Sequence, residues 1–407
     1  MSFITNIRSV AKYESKILVR SWFFRIFTLL AVVFLGFFNF AMMLMEDNFG
    51  LWFAKSVSSN IPYLNLLLLN TGQAVVAVFL SSEFLKRDKK LDTFEVFYVR
   101  PLSNAEYVVG KIWGNLRVFL FLNLLVLAIV LAFNFMASGV TVDLPAYLVY
   151  FFLISIPTLI FIIGLSIFLM LLLKNQALTF ILLLGYIGLT LFYIQDKFYY
   201  LFDYMVYNLP LFKSTIVGFS NLELILNHRA IYFFAGLGFI FFTIFLFKRL
   251  PNARRSHYPW LFLSFCMFLL MVTAGFRHVR SILWEGEMRA LYTSINNKYV
   301  YEPKMAIDYY DISVEQKSET IRSVVGMEGT ALAASEVFIF CLNPGLRVEE
   351  VKDGEKSLNF KREEQILAVD FGRKIEKGDT ISFSVSYEGR IKDDFCNLFL
   401  PLKIQRL

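Results

Sequence analysis

Long apolar runs separated by short polar stretches dominate the first two thirds of the chain. Seven of these runs approach or exceed the roughly 20 residues that a helix needs to cross a bilayer core of about 30 Å. The pattern therefore predicts a polytopic α-helical membrane protein with seven spans. These spans cover residues 24–45, 61–81, 113–136, 146–173, 177–194, 230–248 and 259–276.

A different pattern precedes the first span. Between residues 2 and 24, apolar and basic positions alternate at helical spacing, with Arg8, Lys12, Lys16 and Arg20 on the polar side. This spacing predicts an amphipathic helix over 1–23 that lies in the membrane interface, with its basic side chains directed toward lipid head groups. A solvated N-terminal helix is the alternative.

The last part of the chain, 278–407, changes to a β pattern. Residues 336–341 and 365–370 are short apolar runs, and residues 380–387 alternate strictly between apolar and polar. Together they predict a β-sandwich-like C-terminal domain, which follows a basic linker and the seventh span over 250–277. Turn residues separate the predicted strands at 343–345, 352–354 and 377–379.

Composition and charge agree with this division. Hydrophobic residues make up 57% of the 407 residues and charged residues 18%, which excludes an ordinary water-soluble fold, a disordered chain and a disulfide scaffold. The net charge of +7 is uneven, since 1–276 carries 21 Lys+Arg against 12 Asp+Glu and 277–407 carries 19 against 21. The surplus lies between apolar runs, so it indicates membrane topology and argues against a nucleic-acid partner.

The basic residues also predict an orientation. With the N-terminus inside, the inner segments hold 17 of the 21 basic residues before 277, and the outer connections hold four. Cytoplasmic connections carry the excess of Lys and Arg, so we expect a cytoplasmic N-terminus and an extracytoplasmic domain over 278–407. The four outer residues are Lys55, Lys197, Lys213 and Arg229.

The connection between the second and third spans, 81–111, is the most informative polar stretch. A charged run leads to Pro101, which biases Arg100 away from helix, and Ser103 is followed three residues later by Glu106. That spacing is typical of a capping box at the start of a new helix.

This stretch resembles the coupling loop of the permease subunits of type-2 ABC transporters. In that family a glutamate, a basic run, a Thr-Phe-Glu element and Pro-Leu-Ser follow the second span, and Gly-Lys opens the third. Asp92 stands where the family often has glycine. The matching residues here are Glu83, Arg87, Thr93, Phe94, Glu95, Arg100, Pro101, Leu102 and Ser103, then Gly110 and Lys111.

The resemblance implies a six-span exporter-type bundle over 24–249, with short external helices over 195–228. It also implies an ATP-driven exporter of the bacterial inner membrane that works as a homo- or heterodimer in the lipid bilayer. In such exporters this loop docks on a separate cytoplasmic ABC ATPase subunit. The alternative is that the charges of the loop only anchor the topology.

Polar residues inside the second span form a second candidate site. Asn65, Asn70, Thr71 and Gln73 are predicted to line a translocation pathway, or to make hydrogen bonds between helices. The chain contains no GxxxxGK[ST] phosphate loop. We therefore expect it to bind no cofactor itself, with ATP and Mg²⁺ held by the partner subunit.

The stretch 337–390 resembles the N-terminal β domain of the zinc aminopeptidases that include leukotriene A hydrolase. The order of segments resembles fusions of permeases and such peptidases in Bacteroidetes. The catalytic HExxH signature is absent, so we expect neither a metal site nor enzymatic activity. The matching residues are Leu346, Val348, Val351, Asp353, Gly354, Lys377, Gly378, Asp379, Tyr387 and Gly389.

Two questions stay open at this point. The alternative to transport is a membrane anchor or scaffold that presents the aminopeptidase-like β domain. Cys341 and Cys396 would share an oxidising compartment outside the cell membrane, which would permit a disulfide between them.

Overall fold

A computed structural model describes most of the chain. The described residues are 3–44, 58–82, 102–136, 142–209, 211, 213, 221–247, 258–317, 320–392 and 395. The chain divides into two compact units, Met1–Arg280 and Ser281–Leu407. The first is helical, and the second contains the β-strands.

The described residues form eight helices of seven or more residues, and seven of them are long and apolar enough to span a membrane. The exception is the amphipathic α1, which precedes them. The helices are α1 Phe3–Arg20, α2 Trp22–Leu44, α3 Asn60–Ser82, α4 Asn104–Met136, α5 Leu144–Leu173, α6 Gln176–Ile194, α7 Leu222–Leu246 and α8 Tyr258–Lys298.

Seven membrane-capable helices are thus confirmed, but three boundaries differ from those predicted from apolar runs. The apolar run alone places the start of α4 near 113, but α4 begins at Asn104, directly after the predicted capping residue Ser103. α7 begins at Leu222 and not near 230. α8 continues to Lys298, well beyond 276. In each case the additional turns contain charged residues, which a search for apolar runs leaves out.

A close backbone contact in the helical unit joins α5 to α7. A Cβ added at Gly236 would lie 2.7 Å from the backbone of Ile160 and Phe161, and one added at Gly164 would lie 2.7 Å from the Gly236 carbonyl oxygen. Only residues without a side chain allow the two backbones to approach this closely.

Two helices contain short π-helical segments. In α5 the segment is Phe151–Ser155, directly before the turn that carries Pro157, and in α6 it is Thr190–Ile194. π-Turns inside α-helices are uncommon and occur often at functional sites. The one in α5 lies in the middle of the bundle, where Ile154 and Ser155 are fully buried.

The connection between α6 and α7 enters the helical unit. Tyr204, Met205 and Val206 are fully buried, as is Leu211. Within its described residues, the connection contains one 3-10 turn, Phe198–Tyr200, and otherwise bends and turns. The sequence instead predicts short external helices over 195–228, of which 210, 212 and 214–220 lie outside the described residues.

The second unit is an antiparallel β domain with two sheets. The strands are β1 Met305–Lys317, β2 Thr320–Ala331, β3 Ser335–Cys341, β4 Leu346–Asp353, β5 Lys356–Ser357, β6 Asn359–Glu363, β7 Ile366–Ile375 and β8 Thr380–Gly389. One sheet has the order β1-β2-β8-β4-β5 and the other β3-β7-β6. The apolar runs at 336–341 and 365–370 and the alternating run at 380–387 correspond to β3, β7 and β8.

The two sheets share one apolar core. Phe371 of β7 packs edge-on against Phe338 of β3 and against Phe383 of β8, with ring centroids 5.9 Å and 5.5 Å apart. Gly354 and Gly378 have positive φ of 61° and 96°, the backbone conformation that tight turns require of glycine. The turns predicted at 352–354 and 377–379 are therefore confirmed.

The C-terminal end of α8 belongs to this β domain. Gln365 donates from Nε2 to the Tyr292 carbonyl oxygen (2.7 Å) and to Asn296 Oδ1 (2.9 Å). Lys298 and Tyr299 both bind the Glu363 carboxylate, and these contacts lower the pKa of Glu363. Cys396, the suggested partner of Cys341, lies outside the described residues.

Gly236→Ala should destabilise the protein by about 1–3 kcal/mol, because the new methyl group would meet the α5 backbone. Gly185→Ala and Gly188→Ala in α6 are matched controls, since a Cβ at either position meets nothing within 4 Å. Alanine favours helix over glycine, so these controls should be neutral or stabilising. Thermal unfolding in detergent measures all three, and an equal response of Gly236→Ala and Gly185→Ala would contradict the proposed close contact.

Candidate functional site

The coupling-loop residues predicted from the sequence fall largely outside the described residues. Leu102 and Ser103 are described, and they lie directly before α4. The backbone N–H of Ser103 donates to Glu106 Oε2 (2.6 Å), and the N–H of Glu106 donates to Ser103 Oγ (3.1 Å). The predicted capping box is confirmed. Outside the described residues are Glu83, Arg87, Thr93, Phe94, Glu95, Arg100 and Pro101.

The start of α4, residues 103–114, is fixed to the end of α7. Asn104 donates from Nδ2 to the Phe247 carbonyl oxygen at 2.5 Å. The rings of Tyr107 and Phe247 stack nearly parallel, 5.5 Å apart. Since Phe247 is the C-cap of α7, the Asn104 side chain satisfies a carbonyl that the helix end leaves without a helical donor.

The same segment is also fixed to α1. A Cβ added at Gly110 would lie 2.7 Å from Val10, and one added at Gly114 would lie 2.7 Å from Glu14 and 2.8 Å from the Ala11 carbonyl oxygen. The two glycines, one turn apart on α4, therefore form the groove that accepts α1. Gly110, which the family resemblance picks out together with Lys111, thus has a packing role.

Charged side chains reinforce the contact between α1 and α4. The Lys111 ammonium lies 3.7 Å from Glu14 Oε2, and both residues are 3% exposed. Arg117 donates to Ser15 Oγ and to the Ala11 carbonyl oxygen (2.8 Å), and Asn6 donates to Glu106 Oε1 (2.9 Å). Breaking a buried pair by removing one partner is strongly destabilising, so α1 is a built part of the bundle.

Two of the residues predicted to line a pathway belong to a closed hydrogen-bonded ring. Asn70 donates to Ser155 Oγ (3.1 Å) and weakly to Asn123 Oδ1 (3.4 Å), and Ser155 Oγ donates to Asn123 Oδ1 (2.8 Å). Asn123 donates to Gln73 Oε1 (2.9 Å), and Gln73 donates to Asn70 Oδ1 (2.5 Å). This polar ring of Asn70, Gln73, Asn123 and Ser155 is fully buried and links α3, α4 and α5.

The other two predicted residues also bind neighbouring elements. Asn65 of α3 and Asn39 of α2 exchange two hydrogen bonds, of 2.7 Å and 3.1 Å. Thr71 Oγ1 lies 2.5 Å from the hydroxyl of Tyr207 in the connection between α6 and α7. In this conformation all four residues make interhelical or connection contacts, and a lining role stays a prediction.

A site that the sequence prediction missed lies where α5, α7 and the connection meet. Pro157 has no N–H, so the carbonyl of Leu153, four residues earlier, loses its α-helical donor. Arg229 of α7 supplies one, from Nε at 2.6 Å. Its remaining donors reach the Ile154 carbonyl (3.2 Å), Thr158 Oγ1 (2.8 Å) and the Tyr204 carbonyl (2.9 Å).

The charge pattern of the sequence places Arg229 among the outer basic residues, and in the structure its side chain is buried, with 2% exposed. A guanidinium group has five N–H donors in a fixed fork, and here they bind carbonyl oxygens on two different segments. The available signal was a proline inside the predicted fourth span together with an arginine beside the sixth. The spacing could not show that these residues meet.

Asp203 lies in the connection near Arg229. Its carboxylate accepts from the backbone N–H groups of Tyr207 (3.0 Å) and Asn208 (2.8 Å). Burial raises the pKa of Asp203, although the two N–H groups and the nearby Arg229 act in the opposite direction. The carboxylate thus closes a tight turn inside the protein. Among the described residues, no group of three or more His, Cys, Asp or Glu could hold a metal ion.

No protein-family model and no curated protein matches the chain. Solved structures with partial similarity include a two-domain M1 zinc metallopeptidase variant bound to L-tryptophan. Another is a variant of the M1 zinc metallopeptidase of Deinococcus radiodurans bound to a Tyr-Ser-Ala substrate. Both alignments have 17% identity and a TM-score of 0.20. Each covers 21% of this chain and 21% of the other. This weak likeness to an aminopeptidase fragment carries no argument about activity.

Arg229→Met should destabilise the helical unit by about 3 kcal/mol, because it leaves the carbonyls of Leu153, Ile154 and Tyr204 without this donor. Arg229→Lys should recover only part of the loss, since an ammonium group cannot span the same acceptors. Arg277→Gln removes a solvent-exposed pair with Glu223 and is the control, with little expected change. Thermal unfolding in detergent is the measurement, and equal stability of Arg229→Met and Arg277→Gln would contradict the assigned role.

Proposed function

We propose that this chain is the membrane-spanning permease subunit of an ATP-driven ABC exporter. Separate ATPase subunits would dock on the 81–111 loop, with the N-terminus cytoplasmic and the β domain extracytoplasmic in the bacterial inner membrane. The seven membrane-capable helices, the excess of basic residues on one side and the motif of the loop support this proposal.

The observation that carries the proposal is how the start of α4 is fixed. This segment follows the proposed docking loop directly, and it is held by α1 through the Gly110 and Gly114 groove and by α7 through Asn104. A displacement of the loop would therefore move three helices together. Such coupling is what a docking loop needs, because movement at one end of packed helices becomes tilting of the whole elements.

α4 is long enough to connect the docking loop to the polar ring. Asn123 of the polar ring lies 19 residues after Asn104 on one uninterrupted helix, which is about 28 Å along its axis. The ring connects α4 to α3 and α5 through side-chain hydrogen bonds that can be exchanged for others. Opening it would turn Asn70 and Gln73 toward a pathway, which reconciles their buried state here with the predicted lining role.

A dimer of permease subunits is part of the proposal. Within the described residues, 17% of the apolar stretch of α2 and 22% of that of α6 is buried inside the protein. The corresponding share for α3 is 67%. The exposed faces of α2 and α6 are apolar, with Leu29, Phe37 and Phe192 more than 60% exposed. They suit contact with lipid and with a second permease subunit.

The alternative function, a membrane anchor that presents the β domain without transport, is favoured by one observation. The polar ring is closed, and all four of its side chains are buried and mutually bonded. An anchor needs a stable bundle and no pathway, so a bundle that never opens would suit it. The ATPase partner separates the two functions.

The full chain, purified from its source membranes, should recover a Walker A-containing subunit together with Mg²⁺-dependent ATPase activity. A double charge reversal in the loop, Glu83→Lys with Arg87→Glu, should lower the recovered ATPase subunit about tenfold, equivalent to about 1.4 kcal/mol of binding. Asp196→Lys with Lys197→Glu reverses two exposed charges in another connection and should leave recovery unchanged.

Two outcomes would contradict the exporter proposal. Either no nucleotide-binding subunit is recovered with the unmodified chain, or the two double reversals reduce its recovery equally. The first outcome would favour the anchor function.

A further inference from the structure

The connection between α6 and α7 is held in the helical unit mainly by its backbone carbonyl groups. Non-helical backbone in an apolar environment requires partners from the protein, since water is excluded. Here side chains from four helices, and that of Ser59 directly before α3, donate to these carbonyls. The acceptor and donor pairs are Tyr199 with His278, Tyr200 with His228, Leu201 with Tyr232, Tyr204 with Arg229 and Thr158, Val206 with Tyr63, Leu211 with Tyr150, and Lys213 with Ser59.

The local backbone at the start of this series is unusual. Phe198, Tyr199 and Tyr200 have positive φ of 52°, 59° and 62°, and Val206 has 69°. Residues with a Cβ rarely adopt this conformation, and Val206 is β-branched. Such a backbone persists only when the surrounding contacts hold it in place.

Two histidines bind consecutive carbonyls of the left-handed turn. His228 Nε2 of α7 lies 3.0 Å from the Tyr200 oxygen, and His278 Nε2 of α8 lies 2.9 Å from the Tyr199 oxygen. A carbonyl oxygen can only accept, so each Nε2 carries a proton and donates. The two rings lie 5.1 Å apart and both are fully buried.

α8 supplies one of the donors to the connection, the side chain of His278. The remaining donors come from α3, α5 and α7, and from Ser59 directly before α3, all of which precede α8 in the chain. α8 is also fastened to α7 farther along, where Ser264 Oγ donates to the Gly238 carbonyl (2.9 Å) and Phe268 covers Gly238. Because these contacts hold α8 against α7, α8 can keep the side chain of His278 in place beside the connection.

We propose that His278 is a positioning residue through which the seventh membrane-capable helix keeps the connection between α6 and α7 inserted in the bundle. Loss of its donated hydrogen bond releases the left-handed turn at 198–200, and the buried segment 203–206 loosens with it. α8 then controls whether this end of the helical unit is covered. The inference depends on contacts within the first unit alone and holds whether the chain is an exporter or an anchor.

Hydrogen–deuterium exchange on the full chain in lipid nanodiscs tests this assignment, with the amides of 200–206 as the readout. His278→Phe keeps a ring beside His228 but has no N–H donor, and His278→Gln has no ring but keeps an N–H at the position of Nε2. Ser264→Ala removes another hydrogen bond between α8 and α7 that does not touch the connection. No ATPase partner is needed, so the outcome is separate from that of the exporter proposal.

We expect exchange in 200–206 to rise about tenfold in His278→Phe and to stay near the original rate in His278→Gln and Ser264→Ala. The polar ring segments of α3 and α4 should exchange at unchanged rates, which reports that the bundle is intact. Unchanged exchange in His278→Phe would overturn the proposal. Faster exchange in His278→Gln with none in His278→Phe would overturn it too, because ring packing and not the donor would then hold the segment.

Discussion

The helical unit depends on side chains that donate hydrogen bonds to backbone carbonyls without a helical N–H donor. Pro157 frees one carbonyl in the middle of α5, and the connection between α6 and α7 brings many more into apolar surroundings. Each unpaired polar group there would cost several kcal/mol. The buried side chains of Arg229, His228 and Tyr232 on α7 are arranged to meet this requirement.

This requirement explains why polar and small residues occur together on α7. Its donors can reach α5 and the connection only because Gly164 and Gly236 let the two helices approach within backbone contact. Wider spacing would carry the guanidinium of Arg229 away from the Leu153 carbonyl, 2.6 Å from its Nε. The hydrogen bonds of the α7 side chains therefore depend on the close packing of α5 against α7.

The elements that follow from periodicity were predictable, and their partners were not. Apolar runs located all seven membrane-capable helices, and strict alternation located β8. The capping box of Ser103 and Glu106 was predictable because both residues lie within one turn. Between helices, the polar ring joins residues that are 32 to 85 positions apart. The Arg229 site joins residues that are 25 to 76 positions apart. No local pattern specifies such contacts. Apolar runs alone also leave out the start of α7, because the burial of Arg229 there depends on partners elsewhere in the chain.

The groove that receives α1 has a consequence for how the protein is made. Ser15 binds the carbonyl of Gly114, 99 residues later in the chain. At a synthesis rate of about 5–20 residues per second, the ribosome produces this partner on the order of ten seconds after α1 itself. During that interval Glu14 has no Lys111 and the apolar side of α1 has no groove. The N-terminal helix therefore reaches its folded contacts only after α4 has been synthesised.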